Sequence, residues 1–274
     1  MINNELKLVI FSDLHYLDPD HKEWSGRKLT WLAEPLLYKL FEKVEKIRPD
    51  ACIFLGDHIE DTGEGAEKDM ANLQFVRDMF SACPVPLYAI PGNHDLFSAY
   101  SREKVEDIMG YGHSTFSIDL KGYHLIFLGL DLRPVTGEKD GGISRTQFIS
   151  TDDMRWLERD IWETNGPCIL FNHFGIAEDN MCGNWWFKSC PETALLANRG
   201  ELKEILRVNK EKILGMFCGH QHRTKFIDED DIKYCVVGSL TESIENDGKP
   251  DGMYMEVTIK DSEMQVMEKH LRLQ

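Results

Sequence analysis

Long apolar runs are missing from this chain of 274 residues. None approaches the ~18–20 residues that a membrane-spanning helix requires. The first, LKLVIF at 6–11, follows the polar Asn3-Asn4-Glu5 and is too short for the apolar segment of a signal peptide. A cytoplasmic protein without a membrane partner is expected. Dense runs of Lys and Arg are missing too. The chain carries 31 basic against 47 acidic residues, a net charge of −16. Proteins that grip long nucleic acid present a basic face, so long nucleic acids and anionic membrane surfaces are disfavoured as partners. A small anionic substrate stays compatible, because bound metal ions reverse the sign of a local field. There is no C-x-x-C. The seven cysteines (Cys52, Cys83, Cys168, Cys182, Cys190, Cys218 and Cys235) are odd in number and several sit inside apolar runs. They read as reduced, mostly buried thiols, and nothing requires a disulfide between Cys182 and Cys190, which share a loop. Internal repeats, low-complexity segments and a Pro/Gly/Ser-rich linker are likewise absent. With 42% hydrophobic residues the chain can bury a sizeable core, and one domain over residues 1–274 is expected.

What is present is an alternation. Apolar runs at 6–12, 51–56, 86–90, 167–172 and 213–218 read as strands. Amphipathic stretches near 33–48, 66–81, 151–163 and 199–208 read as helices between them. That order predicts an α/β protein. The segment 113–131 differs: two β-rich runs flank Leu120-Lys121-Gly122-Tyr123, which predicts an antiparallel hairpin. The tail adds strands near 232–237, 252–258 and 263–270, so the sheets are mixed, and the acidic DEDD at 228–231 caps a surface turn.

The ends of the strand candidates share a chemistry. The first runs into Asp13 and His15, the second into Asp57 and His58, and the third into Asn93, His94 and Asp95. The fourth runs into His173 and the fifth into His220 and His222. In open α/β sheets, ligands gather beyond the carboxyl ends of the strands. Imidazole and carboxylate without thiolate suit Zn, Fe, Mn or Ni. Asp13 and His15 are two residues apart, as are His220 and His222, which on extended backbone puts each pair on one side. A carboxylate such as Asp57 can bridge two cations, and an Asn amide oxygen is a weaker neutral ligand. Two metals ~3.5–4 Å apart form a clamp for phosphoryl displacement. Each short motif alone is common. His21, His113 and His124 are taken as surface or hydrogen-bonded core residues, and at His58 a structural place outweighs direct ligation. In the stretch IPGNHDLF (90–97), Pro91 and Gly92 make a turn that brings backbone close to the site, and Leu96 and Phe97 re-enter the core.

Taken in order, SDLH (12–15), GDH (56–58), GNHD (92–95), NH (172–173) and GHQH (219–222) resemble the motifs of the calcineurin-like metallophosphoesterases, over residues 13–222. The resemblance implies a four-layer α/β/β/α sandwich with two mixed β-sheets and a dinuclear metal centre. By analogy one metal is held by Asp13, His15, Asp57 and His222, and the other by Asp57, Asn93, His173 and His220, with Asp57 bridging. The implied cofactors are two divalent transition metal ions (Mn, Fe, Zn or Ni). The implied reaction is hydrolysis of a small phosphate ester by in-line attack of a metal-bridging hydroxide. His94 would meet the phosphoryl group, and Asp95 would orient the His94 ring.

The chain departs from the family in two places. Gly175 stands where Pro often follows the fourth-motif His, and His58 stands where an apolar residue commonly follows Asp57. GDHIED and IPGNHD lack the arginines of the phosphoprotein phosphatase branch. The tail VVGSLTESIENDGKPDGMYMEV (236–257) looks like the end of manganese-dependent ADP-ribose/CDP-alcohol diphosphatases, whereas His15 is the residue kept by cyclic-nucleotide phosphodiesterase-like members. A small phosphodiester, diphosphate or nucleotide-type substrate is therefore favoured. Two loops are candidate substrate walls: 131–147, with Arg133 and Arg145, and 177–190, with Trp185, Trp186, Phe187 and Lys188. Loop packing is weighed evenly against substrate contact there. The competing functions are a non-catalytic scaffold with a degenerate metal site, which would have lost ligands, and a nuclease, which would need a basic groove.

Overall fold

The computed structural model describes residues 5–18, 26–61, 66–99, 101–134 and 145–273. His21 and residues 135–144 of the first candidate loop lie outside them. The apolar runs become β1 (Leu6–Phe11), β2 (Ala51–Phe54), β3 (Leu87–Ala89), β8 (Cys168–Asn172) and β9 (Ile213–Cys218). The hairpin forms from β4 (Phe116–Leu120) and β5 (Tyr123–Leu128), and the tail from β11 (Ile232–Val236), β12 (Met253–Lys260) and β13 (Glu263–His270). Lys121 and Gly122 both take positive φ (51° and 86°), the backbone of a tight hairpin turn whose twist matches its strands.

Two large mixed sheets result. The first has the order β13-β12-β1-β2-β3, with β1, β2 and β3 parallel and β12 antiparallel to β1. The second adds β10 (Lys225–Glu229) and has the order β10-β11-β9-β8-β5-β4, with β11, β9, β8 and β5 parallel. Strand alternation divides the core. Leu6, Leu8 and Ile10 of β1 join Phe127, Phe171 and Phe217 of the second sheet in one buried cluster. Val9 and Phe11 point the other way, into a cluster with Leu36, Leu37 and Leu40 of α1 (Ala33–Ile47). Strands covered on both faces are apolar throughout, which is why these runs show no polar alternation. Phe116, Phe127, Phe171 and Phe217 stack across neighbouring strands at 4.5, 4.9 and 5.8 Å. Outside the sheets lie α2 (Ala66–Phe80), α5 (Thr151–Glu163) and α6 (Arg199–Val208), at the expected positions.

Several elements go beyond the sequence reading. The turn at Pro91-Gly92 leads directly into α3 (Asn93–Ala99), followed by α4 (Arg102–Met109). Seven residues are too few for a helical period to stand out. A small two-stranded ribbon pairs β6 (Asp131–Pro134) with β7 (Arg145–Phe148). Asp230 and Asp231 of DEDD occupy the β10–β11 turn with positive φ (55° and 64°). Among the described residues no helix is long and apolar enough to cross a membrane, and the described cysteines are free, Cys182 and Cys190 being exposed.

Candidate metal centre

Five parallel strands, β1, β2 and β3 of one sheet and β8 and β9 of the other, end at one place. The strand ladders continue beyond them as single bonds between loops. Asp13 N donates to Gly56 O (3.1 Å), His15 N to Asp57 O (3.0 Å) and Gly219 N to His173 O (3.0 Å). His220 N donates to the Asp13 carboxylate (3.1 Å), fastening one sheet's rim to the other's. Asp13, His15, Asp57, His220 and His222 all have positive φ, between 46° and 64°. Non-glycine residues in that region carry strain that persists where surrounding structure enforces it, characteristically at functional sites. Gly56 takes φ 103°, and a Cβ there would stand 2.7 Å from Gly92 N and 2.8 Å from His173 Nδ1. At Gly92 a Cβ would stand 2.1 Å from Asp57 Oδ1. Both glycines are therefore required by close backbone approach.

The structure brings all seven sequence-predicted ligand residues together. Asp13, His15, Asp57 and His222 form one donor group, and Asp57, His173 and His220 a second, with Asp57 common to both. Asn93 Oδ1 lies 3.3 Å from His173 Nε2, at the second group. Each imidazole turns one nitrogen outward to an acceptor. His15 Nδ1 meets Glu60 Oε2 (2.7 Å) and His222 Nδ1 donates to Glu242 Oε2 (3.1 Å). His173 Nδ1 donates to Leu55 O (2.6 Å) and His220 Nε2 to Thr193 O (3.2 Å). Carboxylates and carbonyls only accept, so these contacts take one ring proton outward and turn the other nitrogen of each imidazole toward the centre. His15 Nε2 and His222 Nε2 then face each other at 2.9 Å. Asp57 Oδ2 is buried without a hydrogen-bond partner among the described residues, 3.6 Å from His15 Nε2 and 3.3 Å from His173 Nε2. Converging lone pairs around an orphaned carboxylate oxygen fit divalent cations, and the N/O donor set suits transition metals.

The titration of the cluster agrees. Burial opposes the charge on Asp13, but His222 holds its pKa down to about 2. Burial also opposes the Asp57 charge, which His173 and His94 hold well below the usual carboxylate range. Burial works against protonating His173 and His222, yet Asp57 raises the first and Asp13 the second to about 9. Burial and Lys28 push His15 down to about 4. Burial and His173 push His220 well below the ordinary value. The buried carboxylates thus favour positive charge at this place, and cation binding would compete with protons for these two rings.

His94 stands at the rim. Its backbone N donates to Asp57 Oδ1 (2.9 Å), its Nδ1 meets Asp61 Oδ2 (3.1 Å) and its Nε2 lies 3.2 Å from Lys28 Nζ. Burial and Lys28 lower its pKa, but Glu60, Asp57 and Asp61 prevail and raise it. Asp95 does not orient this ring. Its carboxylate turns inward and accepts from Gly92 N (2.7 Å), His58 N (2.8 Å), Ile59 N (3.2 Å) and His58 Nδ1 (2.8 Å). The cause is α3: neighbouring residues on a helix point about 100° apart, so His94 and Asp95 cannot face one target. Asp95 instead clamps the Asp57 loop to the Asn93 loop. His58 is fully buried between Asp95 and Tyr111 OH (2.6 Å), a structural place. His124 is held by Asp119 and Asp160, and His113 bonds Thr115 O.

The family pattern decides the membership. The model of the calcineurin-like phosphoesterase family matches residues 6–224. The chain belongs to that family. It is similar to a probable glycerophosphodiester phosphodiesterase GpdQ of Arcobacter nitrofigilis, 27% identical over 65% of this chain and 58% of the relative. A probable cyclic nucleotide phosphodiesterase of Fibrobacter succinogenes is 26% identical over 62% of this chain and 59% of the relative. The chain thus spans less than two thirds of the length of either curated relative. Among solved structures, a dimetal phosphatase from Danio rerio is similar over 96% of this chain and 95% of its own, with a TM-score of 0.70 at 14% identity. That likeness is one of fold.

In this member of the family, the parts of Glu60, Asp61, Lys28 and Glu242 are not legible in the sequence. Glu60 and Asp61 lie inside the quoted GDHIED and Glu242 inside the quoted tail, but no spacing rule links them to the histidines they hold. Glu242→Gln keeps the size of the side chain and removes the charge that fixes His222. Metal affinity is expected to fall ~10–100-fold, the usual effect of losing such an outer partner. Calorimetric titration with Mn²⁺ checks it, and unchanged affinity would contradict the role.

Proposed function

We propose that this chain is a dinuclear-metal-dependent hydrolase of small phosphodiesters or diphosphates. The observation that supports it most is Asp57, whose unpartnered Oδ2 stands at the junction of two donor groups. Asp13, His15, Asp57 and His222 would hold one cation, and Asp57, Asn93, His173 and His220 the other. When bound, such a pair neutralises phosphate charge and makes a strong nucleophile available at neutral pH. The rest falls to this chain's own side chains. The outward hydrogen bonds of His173, His220 and His222, and the 2.7 Å contact of His15 Nδ1 with Glu60, turn the inner nitrogens of the four rings toward the two donor groups. His94, whose pKa Glu60, Asp57 and Asp61 raise against burial and Lys28, and whose Nδ1 meets Asp61, gives its Nε2 proton to the departing ester oxygen. Lys28 Nζ, tied to Glu60 at 2.8 Å and 3.2 Å from Nε2, weakens the ring's hold on that proton and so favours its release. The phosphodiesterase names of the two curated relatives favour a diester.

The test is direct. Bound metal is quantified, and bis-p-nitrophenyl phosphate and p-nitrophenyl phosphate are assayed with Mn²⁺ and after chelation. About two cations per chain and turnover abolished by EDTA are expected. Full metal loading without turnover of any phosphate ester would leave the scaffold reading in its place.

A further inference from the structure

Beside His222 the surface opens into a cleft of about 290 Å³. Its walls include Arg27, Trp185, Trp186, Lys188 and Arg223, and it reaches the metal centre through His222 and Glu242. The walls carry three basic side chains, Arg27, Lys188 and Arg223, against two acidic ones, Glu242 and Glu245, a cationic balance in a chain of net charge −16. Trp185 is 56% and Trp186 38% exposed, so both present ring surface to the cleft. The Trp186 ring lies 6.2 Å from the His222 ring and 5.3 Å from Lys28 Nζ, and Arg27 and Lys188 stand 5.0 and 5.1 Å from the Trp185 ring.

The loop that carries them is anchored. Asn184, buried, donates to Gln221 O (2.8 Å) and accepts from Trp186 N (2.9 Å) and Phe187 N (3.2 Å). Phe187 packs on the His220 ring at 4.8 Å. Phe187 therefore holds the loop down on the histidine motif, while the two tryptophans face out beside it. Trp186 Nε1 also donates to Glu242 Oε1 (3.2 Å), and Arg27 Nε to the same oxygen (2.8 Å). Aromatic faces held rigid before binding cost little entropy when a ring settles on them.

We infer that this cleft receives the organic part of the substrate, and that it selects a planar aromatic ring joined to an anionic group, the chemistry of a nucleotide. The inference rests on the phosphoesterase reading for its orientation. Flat exposed indoles beside cationic side chains match a base by stacking and its phosphate by charge. A glycerol-type group would leave the indoles uncovered.

The metal-loaded protein is titrated with adenosine 5′-monophosphate and, separately, with glycerol 3-phosphate, by calorimetry and tryptophan fluorescence. The nucleotide is expected to bind about 10–100-fold more tightly, the range of one base stacked on an aromatic side chain. Trp185→Leu and Trp186→Leu should each remove most of that preference. Lys188→Glu, at an exposed site where folding is not at risk, should weaken both ligands. Equal affinity for the two phosphates, or a preference unchanged in both tryptophan variants, overturns the inference. Absence of turnover with every ester overturns the hydrolase reading instead and leaves the affinity ratio standing.

Discussion

His94→Ala is expected to lower turnover of an alkyl phosphodiester ~10²–10⁴-fold, the usual worth of a positioned acid, with bound metal unchanged. The side chain belongs to neither of the two donor groups that meet at Asp57, although with His15 and Glu60 it forms a third cluster of donor atoms. Only its backbone N touches Asp57, at 2.9 Å, and alanine keeps that bond. The leaving group separates proton donation from simple charge. A p-nitrophenolate departs without a proton, so the variant should lose much less activity on bis-p-nitrophenyl phosphate than on a diester with an alkyl leaving group. Equal losses on both would assign His94 to phosphate binding. No loss on either, or loss of metal, would contradict the role outright. Asp61→Asn should act in the same direction and more weakly, because the Nδ1 partner is kept and its charge is removed.

Asp95→Ala is expected to cost stability, about 3–5 kcal/mol, and not catalysis as such. The carboxylate is fully buried and accepts from three backbone N–H groups and the His58 ring. Alanine leaves those donors buried and unpaired, which costs more than the bonds themselves are worth. For a chain of this size the loss corresponds to a fall of roughly 10 °C in Tm, read by calorimetry on the metal-loaded protein. Asp95→Asn should recover part of it, since the amide oxygen still accepts. The pH profile of kcat/KM discriminates between roles. An acid–base partner of His94 would shift the profile; a clamp between the Asp57 and Asn93 loops leaves its shape unchanged in the folded fraction.

Much of the site is legible in the sequence because it sits where strands stop. Strands covered on both faces are apolar runs, and each such run ends visibly at the first polar residue. Asp13, Asp57, Asn93, His173 and His220 follow β1, β2, β3, β8 and β9 within one to four residues, so the rim can be read along the chain. The Pro91-Gly92 turn was also legible, and Gly92 does bring backbone against Asp57 Oδ1. The direction of Asp95 was not. It depends on α3 starting at Asn93, a helix too short to announce itself. The ring at His58 was ambiguous for the same reason: its partners, Asp95 and Tyr111, lie 37 and 53 residues away.

The sequence by itself determined where the strands lie along the chain, the burial of the central ones and the donor types at their ends, because these follow from local periodicity and residue chemistry. Tertiary structure alone decided which nitrogen of each imidazole faces inward, since that depends on acceptors such as Glu60, Glu242, Leu55 O and Thr193 O, brought in by chain closure. It alone placed Lys28 and Asp61 on His94. And it alone divided the aromatic loop, setting Phe187 on His220 and turning Trp185 and Trp186 toward the cleft. Hydrogen bonds and ring contacts between distant segments carry no period along the chain, so only the folded backbone reveals them.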